Sequence, residues 1–411
     1  MTTTRRSVEL TRSQMLAYRA AVQQLPPRPG TDPVRDGVLL TGIQDSPPGR
    51  TATVALRARG LTVDPGRLAL VHSLRGAPHL HRVDDAAGLA SVLRGLHVAD
   101  FAPDQFGQFG QTMTDHGIDF GSALGQIAEA MREVYADGKP RTKGELSTAL
   151  NDMVDSRLRP WCARCGVHHV QDVLFRYATL QAGLGIVVEP GGWRYQALPS
   201  DAASDAASPS DPASPSDTRS SSAARSPSEA TPQSEALADS ALSLTTLVRR
   251  FLRLCGACRP EHLARWLSLR PAAARRLFDG LGDALVPVTV AGRRAWMHQD
   301  DLDQARQLEP ATGVWLLPPY DPVTEVADRE LLVPEVARRS RVWRAVGNPG
   351  VLLVRGEVAG VWRQRATARR VTLTVEPFAT LTATDQEAAQ RHAETLRDPA
   401  GPPVIATFAA G

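Results

Sequence analysis

Apolar residues in "ELTRSQMLAYRAAVQQL" recur at helical spacing, with Met15, Tyr18, Val22 and Leu25 on one face. Thr11 stands where an N-cap is needed and Gln14 where a capping box closes. Leu10 and Met15 have the spacing of a hydrophobic staple. A helix is therefore expected from about residue 11 until "PPRPG" ends it. "TATVALRARG" reads as a second helix. "LALVHSLRGAPHLHRVDD" reads as a β-rich pair broken by Gly76 and Pro78, with Asp84 or Asp85 capping the helix that follows. Residues 120 to 197 repeat the theme. "SALGQIAEAMREVYADG" and "RTKGELSTALNDMV" are helical, the latter capped by Thr142. "VQDVLFRYATLQAGLG" is a third helix, and "IVVEPGGWRYQAL" folds back at Pro-Gly-Gly as a hairpin.

The clearest pattern lies in "RPEHLARWLSLRPAAARRLFDGLGDALVPVTVAGRRAWM". A helix begins at Pro260 and a second at Pro271, each with proline at its first position. Two strands then turn at Ala291-Gly292-Arg293-Arg294. Helix, turn, helix and β-hairpin wing appear in that order. The tail, with strands in "GVLLVRGEVAGVWRQR" and "RRVTLTVEPF" and a helix over about 384–396, is a small β-rich domain. The expected fold class is thus α+β. Tandem winged helix-turn-helix units cover 1–105 (with the N-terminal helix), 106–198 and 241–305, and the β-rich domain covers 306–411. Residues 199–240, almost entirely Ser, Ala, Pro and acidic residues, cannot bury enough apolar surface to offset ordering entropy and are expected to be a disordered linker.

Composition adds three constraints. At 411 residues the chain exceeds one ordinary core. No apolar run approaches the roughly 18 residues of a membrane span, and "MTTTRRSVELTRSQ" has no signal-peptide core, so a cytosolic protein is expected. The net charge of +3 is too small to prove an anionic partner. Lysine occurs only at 139 and 143, so arginine abundance is a bias and only arginine placement informs.

That placement is uneven. Between 245 and 300 stand ten arginines against four acids. Arg270, Arg275 and Arg276 fall at or in the second helix of the third unit, and Arg293 and Arg294 at its wing tip, which suits duplex DNA in the major groove and phosphate contact beside it. The alternative is a solvated face in an arginine-rich protein. Arg363 and Arg365, with Arg369 and Arg370, form a second basic cluster beside Trp362 that suits a nucleic-acid backbone or an exposed hairpin tip.

"WCARCGVHHV" places Cys162, Cys165 and His168 at zinc-ligand spacing, with His169 adjacent. A structural zinc is one reading, completed by Cys255 or Cys258 if the domains meet. Two small thiols in a polar loop are the other. No phosphate-cradling loop, GxSxG or HExxH occurs, which removes the commonest NTPase, esterase and metalloprotease chemistries.

Several short motifs, taken together and in order, resemble the bacterial winged helix DNA-binding family that includes the AlkZ/YcaQ-type DNA glycosylases. They are "LLTGIQDSPPG" followed by "ALRARG", then "SLRGAPHLHRVDD", "LLPPYDPVTEVADRELLVP" and "GEVAGVWRQR…VTLTVEPF". The resemblance covers the chain outside 199–240. It implies a small β-barrel-like C-terminal domain, a monomer on double-stranded DNA, no required cofactor, and hydrolysis of the N-glycosidic bond of alkylated purines, bulky adducts included. Such a base is already a cationic leaving group. The protein need only position water and stabilise an oxocarbenium-like sugar.

The family signature is Gln-x-Gln or Gln-x-Asp. Here it is incomplete. With Gln44 first, Ser46 takes the second position; with Gln44 second, Gly42 takes the first. Gln44 is the candidate water-positioning residue, with Asp45 or Ser46 assisting. Asp45 and Ser46 equally suit a helix cap or Asx turn before Pro47-Pro48, and helical geometry would turn Asp45 about 100° from Gln44. His79, in "RGAPHL", is either a site or DNA contact or a hydrogen-bonded strand histidine. Arg75 is a phosphate candidate. Asp321, Asp328 and Arg329 are expected to form internal ion pairs fixing the tail. The alternative function is non-catalytic DNA binding, as a regulator or adduct-protection factor, favoured by the missing glutamine.

Overall fold

Local capping chemistry places helices where the apolar pattern predicts them. In the computed structural model, which describes residues 6–25, 32–106, 108–199, 242–326 and 328–409, Thr11 and Gln14 exchange both bonds of a capping box. Gln14 N donates to Thr11 Oγ1 at 3.1 Å and Thr11 N to Gln14 Oε1 at 2.9 Å, opening the Arg12–Val22 helix. Thr142 and Glu145 do the same before Lys143–Ala149. Pro260 and Pro271 open the Pro260–Leu267 and Pro271–Asp279 helices. The hairpin of Leu285–Val290 and Arg293–His298 closes through Ala291 and Gly292 at φ of 50° and 73°, the left-handed pair that a tight hairpin turn requires.

The first hairpin corrects three expectations. Pro78 does not interrupt it; it opens the strand Pro78–Arg82, and the turn lies at Arg75-Gly76. Proline is tolerated at a strand's first residue because no ladder donor is lost there. Leu39–Arg50 is not a helix end. A 3-10 turn, Gly37–Leu40, leads into the short strand Ile43–Gln44, which pairs with Pro78–Arg82 so that Gln44 lies opposite His79. On an extended backbone Gln44 and Asp45 point to opposite faces instead of diverging by a helical step. Asp85 precedes the Ala86–Arg94 helix but makes no side-chain cap bond; its carboxylate takes Arg82 and Arg250 instead.

The architecture is mixed α+β. Leu68–His72 completes the first sheet, and Leu184–Glu189 pairs with Gly192–Ala197 in a second hairpin. The N-terminal strand Val8–Leu10 runs parallel to Leu285–Val290, making the third hairpin a three-stranded sheet. The segment expected with the first unit therefore packs on the third. A five-stranded sheet closes the chain, in the order Val314–Leu317, Gly350–Val354, Glu357–Ala366, Val371–Pro377, Val404–Phe408; its last pair is parallel, joined across the Ala383–Thr395 helix. One apolar core joins the helices from Ala86 to Asp279. A second joins the N-terminal helix, the third hairpin and the five-stranded sheet. The linker expected at 199–240 lies, apart from Pro199, outside the described residues.

Buried arginines join these parts. Arg19 pairs with Asp328 at 2.6 Å, Arg59 with Asp321 at 2.7 Å, Arg250 with Asp85 at 2.9 Å, and Arg253 with Asp301. Asp321 and Asp328 are thus ion-paired as expected, although both partners come from the first 59 residues. Arg329 instead lies over the Trp343 ring. Part of the arginine excess between 245 and 300 is spent inside the protein: Arg250 and Arg253 are buried.

Candidate active site

The Arg75-Gly76 turn holds Arg75 at φ 58°, ψ 15°, a left-handed conformation that costs a non-glycine residue about 1 kcal/mol or more and tends to persist where function requires it. The conformation sends the guanidinium into a cleft between three parts of the chain. Its Nη2 donates to Gln44 Oε1 at 2.6 Å and to Glu325 Oε2 at 2.7 Å, and its Nη1 donates to the Trp266 carbonyl at 2.7 Å. Gln44 comes from the first sheet, Trp266 from the Pro260–Leu267 helix and Glu325 from the short Pro322–Glu325 helix. Arg75 therefore organises the cleft and is not free for a phosphate.

The cleft is also lined by Gln23, Thr41, His79 and Tyr320, and its cavity of about 20 Å³ holds roughly one water. Tyr320, at φ 62°, is a second non-glycine residue in the left-handed region. Gln23 is fully buried. Its Nε2 donates to the Leu254 carbonyl at 3.1 Å, while its Oε1 has no hydrogen-bond partner among the described residues. An unpaired buried carbonyl is expensive, and this one has no surface open to the cleft. Two side-chain oxygens thus stand at this water-sized space, Gln44 Oε1 and the Glu325 carboxylate, both held by Arg75.

His79 is buried, and its Nδ1 donates to the Ala77 carbonyl at 3.0 Å. Desolvation first, then the Arg75 charge, hold its pKa well below the ordinary imidazole value. It lines the cleft as a neutral imidazole, not as a cation for a phosphate. Gly42, at φ 78°, sits against His81; a Cβ there would lie 2.3 Å from the ring. A glutamine at 42 is sterically excluded, so of the two possible registers only the one that begins at Gln44 has room for a side chain.

Asp45 is used structurally. Backbone N–H groups of Gly49, Arg50, Thr51 and Ala52 donate to its carboxylate at 2.6, 2.9, 2.7 and 3.1 Å. It caps the Ala52–Arg57 helix from outside the cleft, which accounts for the aspartate without catalysis. Ser46 is not in the cleft lining either; its backbone N–H donates to Thr51 Oγ1. Glu325, Gln23 and Tyr320 were missed in the sequence. The signal for Glu325 lay inside "PPYDPVTE", four residues beyond Asp321.

The other candidate arginines are not in the cleft lining. Burial first, then Arg265, lowers the Arg329 pKa, with Glu325 and Arg339 also within electrostatic reach. Arg270, Arg275, Arg276, Arg293 and Arg294 are all exposed. Arg276 pairs with Asp100 at 2.5 Å and Arg293 with Glu330 at 2.9 Å; Arg275 lies 3.9 Å from Glu261, and Arg294 over the Trp296 ring. Arg363 and Arg365 are exposed at the far end of Glu357–Ala366. Cys162 and Cys165 converge with His169, not with His168, whose Nδ1 donates to the Arg159 carbonyl at 3.0 Å. The Cys165 N–H above all brings the Cys162 pKa down to about 7. Cys255 and Cys258 are buried beside Arg19 and join no metal-ligand group among the described residues.

The fold is shared with a solved structure. The DNA glycosylase AlkZ of Streptomyces sahachiroi matches with a TM-score of 0.66 over 97% of this chain and 100% of that one, at 22% identity. An interstrand DNA cross-link repair glycosylase of the same organism is 34% identical over 126 residues, 28% of this chain and 33% of that protein. The alignment therefore spans about a third of that relative's length. The family described as "DNA glycosylase AlkZ-like" matches residues 42–398, and the chain belongs to it.

Proposed function

We propose that this chain is a monofunctional DNA glycosylase that hydrolyses the N-glycosidic bond of alkylated purines, bulky adducts included, in duplex DNA. The carrying observation is the pair of side-chain oxygens, Gln44 Oε1 and the Glu325 carboxylate, that Arg75 holds beside a one-water cavity. In this reading an N7- or N3-alkylated purine departs with the electron pair of its bond to C1′, which neutralises its charge, so no general acid is needed. Electron-rich oxygens face the developing positive charge on the sugar. Arg75 occupies one lone pair of Gln44 Oε1 and leaves the other for water. Glu325 accepts the proton as that water's oxygen bonds to C1′.

DNA would be held by the helix–turn–helix–hairpin units acting as winged helices. In the third unit Arg270, Arg275 and Arg276 face the duplex, and Arg293 and Arg294 its phosphates, with Arg363 and Arg365 as a second contact. The protein would act as a monomer in the cytoplasm; separately, no helix among the described residues is long and apolar enough to cross a membrane.

One observation favours a second reading, duplex binding without hydrolysis. The partner position of Gln44 is a serine outside the cleft. Duplexes carrying N7-alkylguanine, N3-alkyladenine or a bulky N7 adduct, incubated with the protein and then heated in alkali, separate the two. Strand breaks that depend on Gln44 and Glu325 support the glycosylase. Adduct binding without base release by the wild type selects the second reading.

A further inference from the structure

The hairpin of Trp161–Cys162 and Val167–His168 has little to hold it together. Each strand has two residues, and its large apolar side chains face water: Trp161 is 59% and Val167 49% exposed. Such a short two-stranded ribbon without an apolar face is not stable by itself. Its turn is nevertheless tightly wound. The N–H groups of Cys165 and Gly166 both donate to the Cys162 carbonyl, at 3.1 and 2.8 Å, and Gly166 takes φ 68°. The winding brings the two thiols onto one side of the turn.

We infer that Cys162, Cys165 and His169 bind a zinc(II) ion that staples this turn. One ligand atom from each lies within 4.8 Å of the others. The imidazole is set up for the task independently of that spacing. His169 Nδ1 lies 2.7 Å from the Val170 carbonyl. A carbonyl accepts only, so Nδ1 carries the proton and Nε2 presents its lone pair. A metal-bound histidine typically shows this arrangement, the other nitrogen donating to a backbone oxygen. His168 is committed elsewhere, to the Arg159 carbonyl and edge-on to Trp161 at 5.2 Å between centroids. Two thiolates and an imidazole select a borderline-soft divalent ion, and the fourth tetrahedral position falls to solvent.

The staple has a structural consequence near the cleft. Residues 159–171 lead directly into the Asp172–Gln181 helix. Asp172 at its start pairs with Lys143 and Arg176, and Arg176 Nη1 donates to the Gly76 carbonyl at 3.3 Å, behind the Arg75 turn. A metal that orders the approach to this helix steadies the element on which the Arg75 turn rests, because binding energy at such a site is local folding energy.

The full-length protein, purified without a metal-affinity tag, should contain about one zinc per chain by elemental analysis, and cobalt(II) should replace it with thiolate charge-transfer and tetrahedral d–d bands. Cys162→Ser, Cys165→Ser and His169→Gln should each lower metal content at least about tenfold, whereas His168→Gln should keep it. The cobalt spectrum is read on the wild type, so an unfolded variant does not blunt the test. Folded, reduced protein that takes up neither zinc nor cobalt overturns the site. So does a His169→Gln variant that keeps the wild-type cobalt spectrum.

Discussion

Arg59 and Asp321 form a bidentate pair with no solvent exposure, Nη1 to Oδ2 at 2.7 Å and Nη2 to Oδ1 at 2.8 Å. The two residues come from separate sequence motifs, "ALRARG" and "PPYDPVTE". Asp321 also caps the Pro322–Glu325 helix, accepting from Val323 N at 3.0 Å. The pair therefore fixes the backbone that carries Glu325 against the segment that follows Gln44. Arg59 donates as well to the Gln23 and Ala55 carbonyls, so one guanidinium ties three segments that line the cleft or lead from it to a common frame.

Breaking this pair from one side leaves a buried, uncompensated charge. Asp321→Asn is expected to lower stability by about 3–5 kcal/mol, read as a shift in the urea midpoint at an unchanged slope. Replacing both partners with apolar residues, Arg59→Met with Asp321→Leu, is expected to recover a good part of that loss. Equal destabilisation in the single and double variants would show that the cap, not the ion pair, carries the energy.

Acid should destabilise the protein earlier than its carboxylates alone would require. Burial is the largest cause holding His81 at a pKa of about 4 and His72 at about 3, against an ordinary 6.5. Below about pH 6.5 the unfolded chain binds protons that the native state refuses, so unfolding free energy falls as pH drops from there towards 4. At roughly 1.4 kcal/mol per unit, His81 alone is worth on the order of 3 kcal/mol across that window. Thermal midpoints measured from pH 7 to 4.5 should fall steadily, and His81→Gln should flatten the fall at the cost of its Ser73 bond. A flat wild-type profile down to pH 4.5 would refute the assignment.

What could be read from the sequence was local. Thr11, Thr142, Pro260 and Pro271 announce helix starts because capping chemistry is complete within four residues. The cleft was legible only in part. Gln44 stood in a motif, but Arg75, which holds it, lies 31 residues from Gln44 and 250 from Glu325, and nothing local pairs them. For Asp45 the sequence left an assisting role and a cap equally open, and only the folded loop shows its carboxylate taken by four backbone N–H groups. His168 was chosen over His169 by spacing alone, although the register that sets His168 opposite Trp161 turns it away from the thiols. Arginine counts could not separate the buried Arg250 and Arg253 from exposed neighbours, because composition carries no burial.

The exposed arginines make a prediction that does not depend on chemistry. If Arg270, Arg275 and Arg276 contact phosphate, alanine at each should weaken duplex binding about equally across sequences and reduce the slope of log affinity against log salt by about one per contact. Arg250→Ala should act differently. It strips Asp85 of a buried partner, so its effect should appear first in stability. Fluorescence anisotropy across a salt series, with melting curves for every variant, distinguishes the two. An unchanged salt slope in the Arg270, Arg275 and Arg276 variants would exclude this helix as the duplex-facing surface.

The cleft itself makes the sharpest prediction. Under single-turnover conditions on an N7-alkylguanine duplex, Gln44→Ala and Glu325→Gln should each slow base release by about 10²–10³ while leaving duplex affinity nearly unchanged, since both act on charge that develops only in the transition state. Ser46→Ala should be neutral, because its side chain is outside the cleft. Asp45→Asn should lose stability before rate, because its carboxylate holds four backbone N–H groups. Wild-type-like rates in both Gln44→Ala and Glu325→Gln would remove the cleft from the chemistry. A Ser46→Ala variant as slow as Gln44→Ala would return the second catalytic position to the motif.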